Sequence, residues 1–222
     1  MMELRIKGIE RPVEFVCGGI LNLVVENGKF FYELLKSFCQ KDEERICVFD
    51  NGKVLKNDKE IVFLDSFCDM SPNTRPALTA IYKRSDKMNL TPERRRALED
   101  IQRSIFNLLS EISLDFAQMM EFTDQFGLGK MLQLADFRYR ENSDASFCDD
   151  FILFLRAAID SQSFHFIVTR DIFSFLNAEE VEKLHCELLS HDLFLLNLSG
   201  NVLKQDVGVV ATRIIDASLC EF

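Results

Sequence analysis

The sequence predicts an α/β protein with one mainly parallel sheet, built from both ends of the chain around a helical insertion. Three observations carry this expectation. Near the C-terminus, "FHFIVTRDIFSFLNAEEVEKLHCELLSHDLFLLNLSG" sets two continuous apolar runs on either side of a helix-like segment. Such runs suit strands covered on both faces, as parallel sheets require. The first 82 residues mix short apolar runs with one helical pattern, whereas the middle of the chain reads as helix throughout. The predicted domains are therefore 1–82 with 160–222 as an α/β head and 83–159 as a helical extension.

The elements follow in chain order. "PVEFVC" and "GGILNLVV" read as strands joined at Gly18-Gly19, a hairpin-style break. "GKFFYELLKSFCQ" places Phe30, Phe31, Leu34, Leu35 and Phe38 at helical spacing. Asp50-Asn51-Gly52 between two short apolar runs is a hairpin signal, and "EIVFLDS" is another buried strand. "SPNTRPALTAIYKR" starts a helix with Ser71 or Asn73 as its cap.

Thr91-Pro92-Glu93 opens the long central helix with a cap, a proline at the first position and an acid in the first turn. Leu98, Ile101, Ile105, Leu108, Ile112 and Met119 then recur at intervals that form an apolar seam, broken only by Asp115. Such a seam packs on a neighbouring helix, in the same chain or across an oligomer interface. The two glycines of "TDQFGLGK" end it. "KMLQLADFRYR" follows as a short helix or extended segment, then the polar turn "ENSDAS" and the apolar helix "FCDDFILFLRAAIDSQ". In the last section Asn177 caps "AEEVEKLHCELLSH", and "DLFLLNLSG" and "VGVVATRIID" supply two more strands.

Composition narrows the class of protein. No apolar run is long enough to span a membrane, and the opening residues lack a signal peptide's apolar region, so a cytoplasmic protein is expected. Seven cysteines without a C-x-x-C pair read as reduced core thiols. The net charge of −10 is unevenly spread: Lys83 to Arg103 holds seven Lys/Arg and four Asp/Glu, a local net of +3. A basic segment in an acidic chain is either an anion-binding surface or a solvated helix face with ion pairs.

Tests for chemistry return little. Gly28-Lys29 lies between a strand and a helix, where a phosphate-binding loop would sit, but the earlier glycine position is Leu23 and the Ser/Thr position is Phe30. Asp65 and Asp171 each follow a strand and are candidate magnesium carboxylates, though no phosphate loop accompanies them. His165 sits in an apolar strand and reads as a core or half-buried residue. Adjacent His185 and Cys186 diverge by about 100° on a helix and cannot face each other. Asp115, Glu121 and Asp124, and separately Asp149 with Asp150, are candidate calcium carboxylates without an EF-hand loop.

"GGILNLVVEN", "FLDSFCDMSPNT" and "FIVTRDIFSFLNAEEVEKL…LLSHDLFLLNLSG" together resemble the small CRISPR-associated adaptation protein of type II-A systems. The resemblance spans nearly the whole chain as a pattern of apolar runs and caps. It implies a head related to degenerate P-loop ATPase folds, with the nucleotide site lost, and no nucleotide as cofactor. It also implies a homotetrameric ring around double-stranded DNA that binds duplex ends without sequence preference. The expected partners are integrase proteins and an effector nuclease during spacer acquisition, and the expected ions are structural calcium. The chain departs from the family in a thin acidic cluster near the helical break, where only Glu121 and Asp124 stand as metal ligands.

The DNA-binding candidates are Lys83, Arg84, Lys87, Arg94, Arg95, Arg96 and Arg103, assigned by their charge and not by a family motif. No catalytic residue is assigned. A metal- or nucleotide-dependent hydrolase and a purely protein-binding assembly module stand as alternatives.

Overall fold

A computed structural model describes residues 2–15, 19–56, 60–68, 70–116, 118, 121, 126–161, 164–201 and 208–220. The chain packs into two units, Met1–Pro72 with Glu141–Phe222, and Asn73–Arg140. These boundaries differ from the expected ones at residues 82 and 160, because one helix moves to each side.

The first unit holds two sheets. β1 (Met2–Ile6), β2 (Val13–Phe15), β4 (Ile46–Asp50) and β5 (Lys53–Val54) form an antiparallel sheet in the order β2-β1-β4-β5. β3 (Ile20–Val25), β6 (Ile61–Leu64), β7 (Phe166–Arg170), β8 (Phe194–Ser199) and β9 (Val210–Ile215) form a wholly parallel sheet in the order β6-β7-β8-β3-β9. All six residues of β3 and all six of β8 are buried, as their unbroken apolar runs foretold.

The expected hairpin at Gly18-Gly19 does not form. β2 and β3 lie in different sheets, so this stretch connects two layers; Gly18 itself lies outside the described residues. Asn51-Gly52 does make its hairpin: both residues have positive φ (47° and 80°), which the tight turn between β4 and β5 requires.

Each face of the parallel sheet has its own cover. α1 (Gly28–Gln40) and the antiparallel sheet close one side, with Phe30, Leu34 and Phe38 packed among Leu21, Leu23, Val168 and Leu196. α5 (Phe147–Ser161) and α6 (Ala178–Ser190) close the other, with Phe151, Leu155 and Leu184 over Ile20, Ile167 and Leu195. The burial of Cys148, Phe151, Ile152 and Leu155 is why α5 belongs to the α/β unit and not to the helical one. α6 starts on a full capping box, in which Asn177 Oδ1 accepts from Glu180 N and Glu180 Oε2 accepts from Asn177 N, both at 3.0 Å.

The second unit contains α2 (Arg75–Asp86), α3 (Pro92–Ser113) and α4 (Leu128–Leu134). Thr74, not Ser71 or Asn73, caps α2: its hydroxyl accepts from Ala77 N. Asn73 instead joins the two ends of the unit, donating to Tyr139 O at 3.0 Å and accepting from Tyr139 N at 2.8 Å. Ser71 Oγ bonds Glu141 in the α/β unit. Thr91 caps α3 as expected, but the helix ends at Ser113, short of Met119, which lies outside the described residues.

Gly127 and Gly129 do not end α3, which stops at Ser113; they lie at the start of α4. Asp86 Oδ1 accepts from Gly129 N at 2.7 Å, so a side chain of α2 caps the start of α4. A Cβ on Gly129 would fall inside the contact distance of the Tyr82 carbonyl, and one on Gly127 would strike the Asp86 carboxylate. The two glycines therefore permit the close seating of α4 on α2.

Among the described residues no helix is long and apolar enough to cross a membrane. The described cysteines depart from the core reading. Only Cys148 is buried, which raises its thiol pKa to about 11, whereas Cys39, Cys68, Cys186 and Cys220 are exposed.

Candidate functional site

Two helix starts compete for the functional site. At the first, β3 runs into α1 through Glu26 and Asn27 alone. Asn27 Oδ1 accepts from Phe30 N at 3.0 Å and Asn27 O accepts from Phe31 N at 2.8 Å. Its Nδ2 donates to Ala217 O at 3.0 Å. The Phe30 and Phe31 donors of this helix start are thus engaged by Asn27.

Leu23, at the position of a loop glycine, is fully buried in the strand, and Phe30, at the position of a magnesium-binding hydroxyl, is buried against the sheet. Gly28 has open space where a Cβ would be, so no close approach depends on it. The described residues build no phosphate loop here.

The strand-end carboxylates have structural partners. Asp171 adopts positive φ (52°), heads the short 3-10 turn Ile172–Ser174 and accepts from Ser199 Oγ at 2.8 Å. Asp65 pairs with Arg170 at 3.2 Å. His165 is exposed, not half-buried, because its side chain leaves the end of the strand before β7 enters the core.

The second start is α3. The α2 C-terminus and the α3 N-terminus are joined by a short connection, and this elbow carries Lys83, Arg84, Lys87, Arg94, Arg95 and Arg96, all exposed. Of its two acids, Asp86 is engaged by Gly129 N. Glu93 is held below the usual carboxylate range, first by its own backbone N–H and then by Thr91, which fits an anion at a helix start. Successive residues on a helix turn by about 100°, so Arg94, Arg95 and Arg96 fan around the helix end and do not line one face.

Placing three arginines at the positive end of a helix is unfavourable in isolation. A polyanion relieves this repulsion, and phosphate contacts of this kind carry no sequence information. Arg103 stands apart: it lies farther along α3 and pairs with Asp100 at 3.2 Å, with Glu99 beside it. The elbow, without Arg103, is where the cations gather.

The predicted seam of α3 is present but largely uncovered within the chain. Ile101, Leu108 and Ile112 are 51%, 56% and 42% exposed, and no residue of α3 is buried. A neighbouring face, with Leu98, Gln102, Ile105 and Leu109, is half-buried, and Gln102 Nε2 donates to Phe126 O. Lying 7 and 4 residues apart, the three form an apolar stripe in solvent on one side of the helix.

The calcium candidates fall only partly within the described residues. Glu121 is exposed, Asp124 lies outside the described residues, and Asp149 is tied to Lys183. Among the described residues no group of three His, Cys, Asp or Glu side chains is placed to hold a metal.

The fold and these surfaces define a class: an α/β protein with a doubly covered five-stranded parallel sheet, a closed strand-to-helix crossover and a helical unit inserted between its halves. No protein-family model and no curated protein matches the chain. The solved structure of Stu0660 of Streptococcus thermophilus is similar, with a TM-score of 0.52 at 16% identity over 96% of this chain and 74% of that one. At that identity the likeness is one of fold.

A nucleotide-free ATP-binding cassette from an ABC transporter gives 0.49 at 11% identity, covering 100% of this chain and 91% of that one. A putative ABC transporter ATP-binding protein from Pyrococcus furiosus gives 0.41 at 15%, covering 95% and 96%. These two lie too far away to support an argument.

Proposed function

We propose that this chain is a non-catalytic protein that binds double-stranded DNA through its backbone, without sequence preference, as a homo-oligomer. The observation that supports this most directly is the elbow between α2 and α3, with three exposed cations at the end of α2 and three in the first turns of α3. The uncovered Ile101–Leu108–Ile112 stripe supports self-association. The closed crossover at Asn27 favours a scaffold descended from a P-loop ATPase fold that has lost its nucleotide site, over a working hydrolase.

The family resemblance supplies the setting: a tetrameric ring that supports spacer acquisition in CRISPR adaptation beside integrase proteins and an effector nuclease. Ring closure brings several copies of one elbow to a single duplex, so a patch that is weak in one chain becomes effective in the assembly. Calcium enters only as an addition to the assembly assay, because Glu121 has no assembled partners among the described residues.

Duplex binding measured against salt concentration tests the reading. The logarithm of affinity should fall linearly with that of salt. Arg94→Ala with Arg95→Ala and Arg96→Ala should make the slope shallower by about 0.9 for each phosphate contact removed. An unchanged slope in the triple variant would sink the elbow assignment. Native mass measurement of Leu108→Asp with Ile112→Asp, with and without a short duplex and calcium, separates the arms. Loss of both the oligomer and DNA affinity supports the ring, and loss of the oligomer with DNA affinity intact rejects it. Metal-dependent nucleotide turnover by the intact protein would overturn the non-catalytic reading.

A further inference from the structure

Four polar residues cross the parallel sheet in one row. Thr169, Asn197, Asn22 and Thr212 are successive Cα partners on β7, β8, β3 and β9, so their side chains leave the same face. That face otherwise presents Ile167, Leu195 and Ile20 to α5 and α6. Thr169 and Asn22 are 0% exposed and Asn197 is 1% exposed. Three buried polar side chains in an apolar layer need every donor and acceptor matched.

The bonds set the orientation of each amide. Ile172 N donates to Asn197 Oδ1 at 2.9 Å, and Thr169 Oγ1 donates to the same oxygen at 3.2 Å. Asn197 must therefore present its nitrogen to β3, where Nδ2 donates to Asn22 Oδ1 at 2.7 Å. Flipping Asn22 would set two donors against each other, so its oxygen stays toward β8. Its own Nδ2 then points away from β8, and it meets no acceptor among the described residues.

A buried donor left unmatched is destabilising, so a compensating acceptor is called for. The next residue in the row is Thr212, exposed on the edge strand β9. Thr169–Asn197 and Asn197–Asn22 bond directly across their strands, whereas Asn22 Nδ2 makes no such bond to Thr212 across the spacing of about 4.8 Å between strands. A water with two hydrogen bonds of about 2.9 Å spans that gap.

We infer that one water molecule bridges Asn22 Nδ2 to Thr212 Oγ1 and completes the polar row from β7 to β9. Full burial of Asn22 restricts the occupant to the smallest acceptor, and the exposed edge at Thr212 gives it a path in. The bridge ties the edge strand to the centre of the sheet by side chains as well as by the backbone ladder.

Amide hydrogen exchange on the full chain tests this through a double-mutant cycle. Thr212→Val keeps the shape and removes the acceptor. It should reduce protection of the Val210–Ile215 amides by about threefold or more in the native background, and clearly less in an Asn22→Leu background. Equal losses in both backgrounds overturn the inference. A crystal structure that resolves ordered waters gives a second readout, independent of whether Asn22→Leu folds. A water within hydrogen-bond distance of both atoms supports the bridge. A direct protein acceptor on Asn22 Nδ2, a dry contact or a different ligand there overturns it.

Discussion

The two units use their apolar residues in opposite ways. In the α/β unit, runs such as "ILNLVV" and "FLLNLS" vanish completely between two covering layers. In the helical unit, a 22-residue helix with a clear apolar stripe has no buried residue at all. Stability within the first unit comes from area removed from water. In the second it comes from local devices: caps at Thr74 and Thr91, the Asn73–Tyr139 pair and the seat of α4 on Asp86. The helical unit leaves its charge and its apolar stripe outside, whereas the apolar strand runs of the α/β unit lie inside.

The sharpest way to break this contrast is to truncate one large side chain in each unit. Phe151→Ala removes a ring that is 0% exposed between α5 and the sheet, and should cost about 3–5 kcal/mol in chemical denaturation. Ile112→Ala, at a site 42% exposed, should change monomer stability by less than about 0.5 kcal/mol while weakening self-association. Equal stability losses in the two variants would show that the α3 stripe is internal core after all.

Gly129→Ala is the next largest test. Its Cβ meets the Tyr82 carbonyl, a backbone atom that cannot step aside cheaply. A loss of about 1–3 kcal/mol is expected, seen by hydrogen exchange in α2 and α4 and not in the parallel sheet. Loss of protection throughout the sheet would mean that the units do not respond separately.

The smallest effect is electrostatic and belongs to the α/β unit. Arg156 donates to both oxygens of Glu187, at 2.6 and 2.8 Å, and these bonds hold the Glu187 carboxyl below its usual range. The Lys183 ammonium does the same for Asp149, again between α5 and α6. Because both folded-state values are lowered, the unfolded chain takes up protons first as pH falls. The stability they add is present above the ordinary carboxylate pKa of about 4 and is lost as pH drops through the lowered folded values. Denaturation midpoints followed in this acid range should fall with pH, and fall less in Glu187→Gln. An identical pH dependence in that variant would remove the pair from the account. The pairs are partly solvated, so their contribution is modest.

Much of the head was legible in the sequence, for physical reasons tied to particular residues. Unbroken apolar runs demanded strands covered twice. Asn177 with Glu180 demanded a helix start, and Asn51-Gly52 demanded a tight hairpin. Gly18-Gly19 misled because a glycine pair signals a break in a strand without saying whether the chain turns back or changes layer. Cys39 and Cys186 misled because their apolar neighbours in sequence are not their neighbours on a helix surface. At the candidate site the charge of Lys83 to Arg103 could be counted, but its concentration at the elbow could not. That depends on Asp86 being drawn to Gly129 and on Arg103 being paired with Asp100.

The sequence alone determined the alternation of strand and helix, the caps, the absence of a phosphate-loop pattern at Leu23 and Phe30, and the basic segment within an acidic chain. These are local properties, set by side-chain chemistry within a few residues. Tertiary structure decided that α5 belongs to the α/β unit, that two glycines seat one helix on another, and that Asn22, Asn197 and Thr169 stand in one row. Each of these joins residues between about 28 and 175 positions apart, and no local preference can encode which distant groups meet when apolar faces are buried.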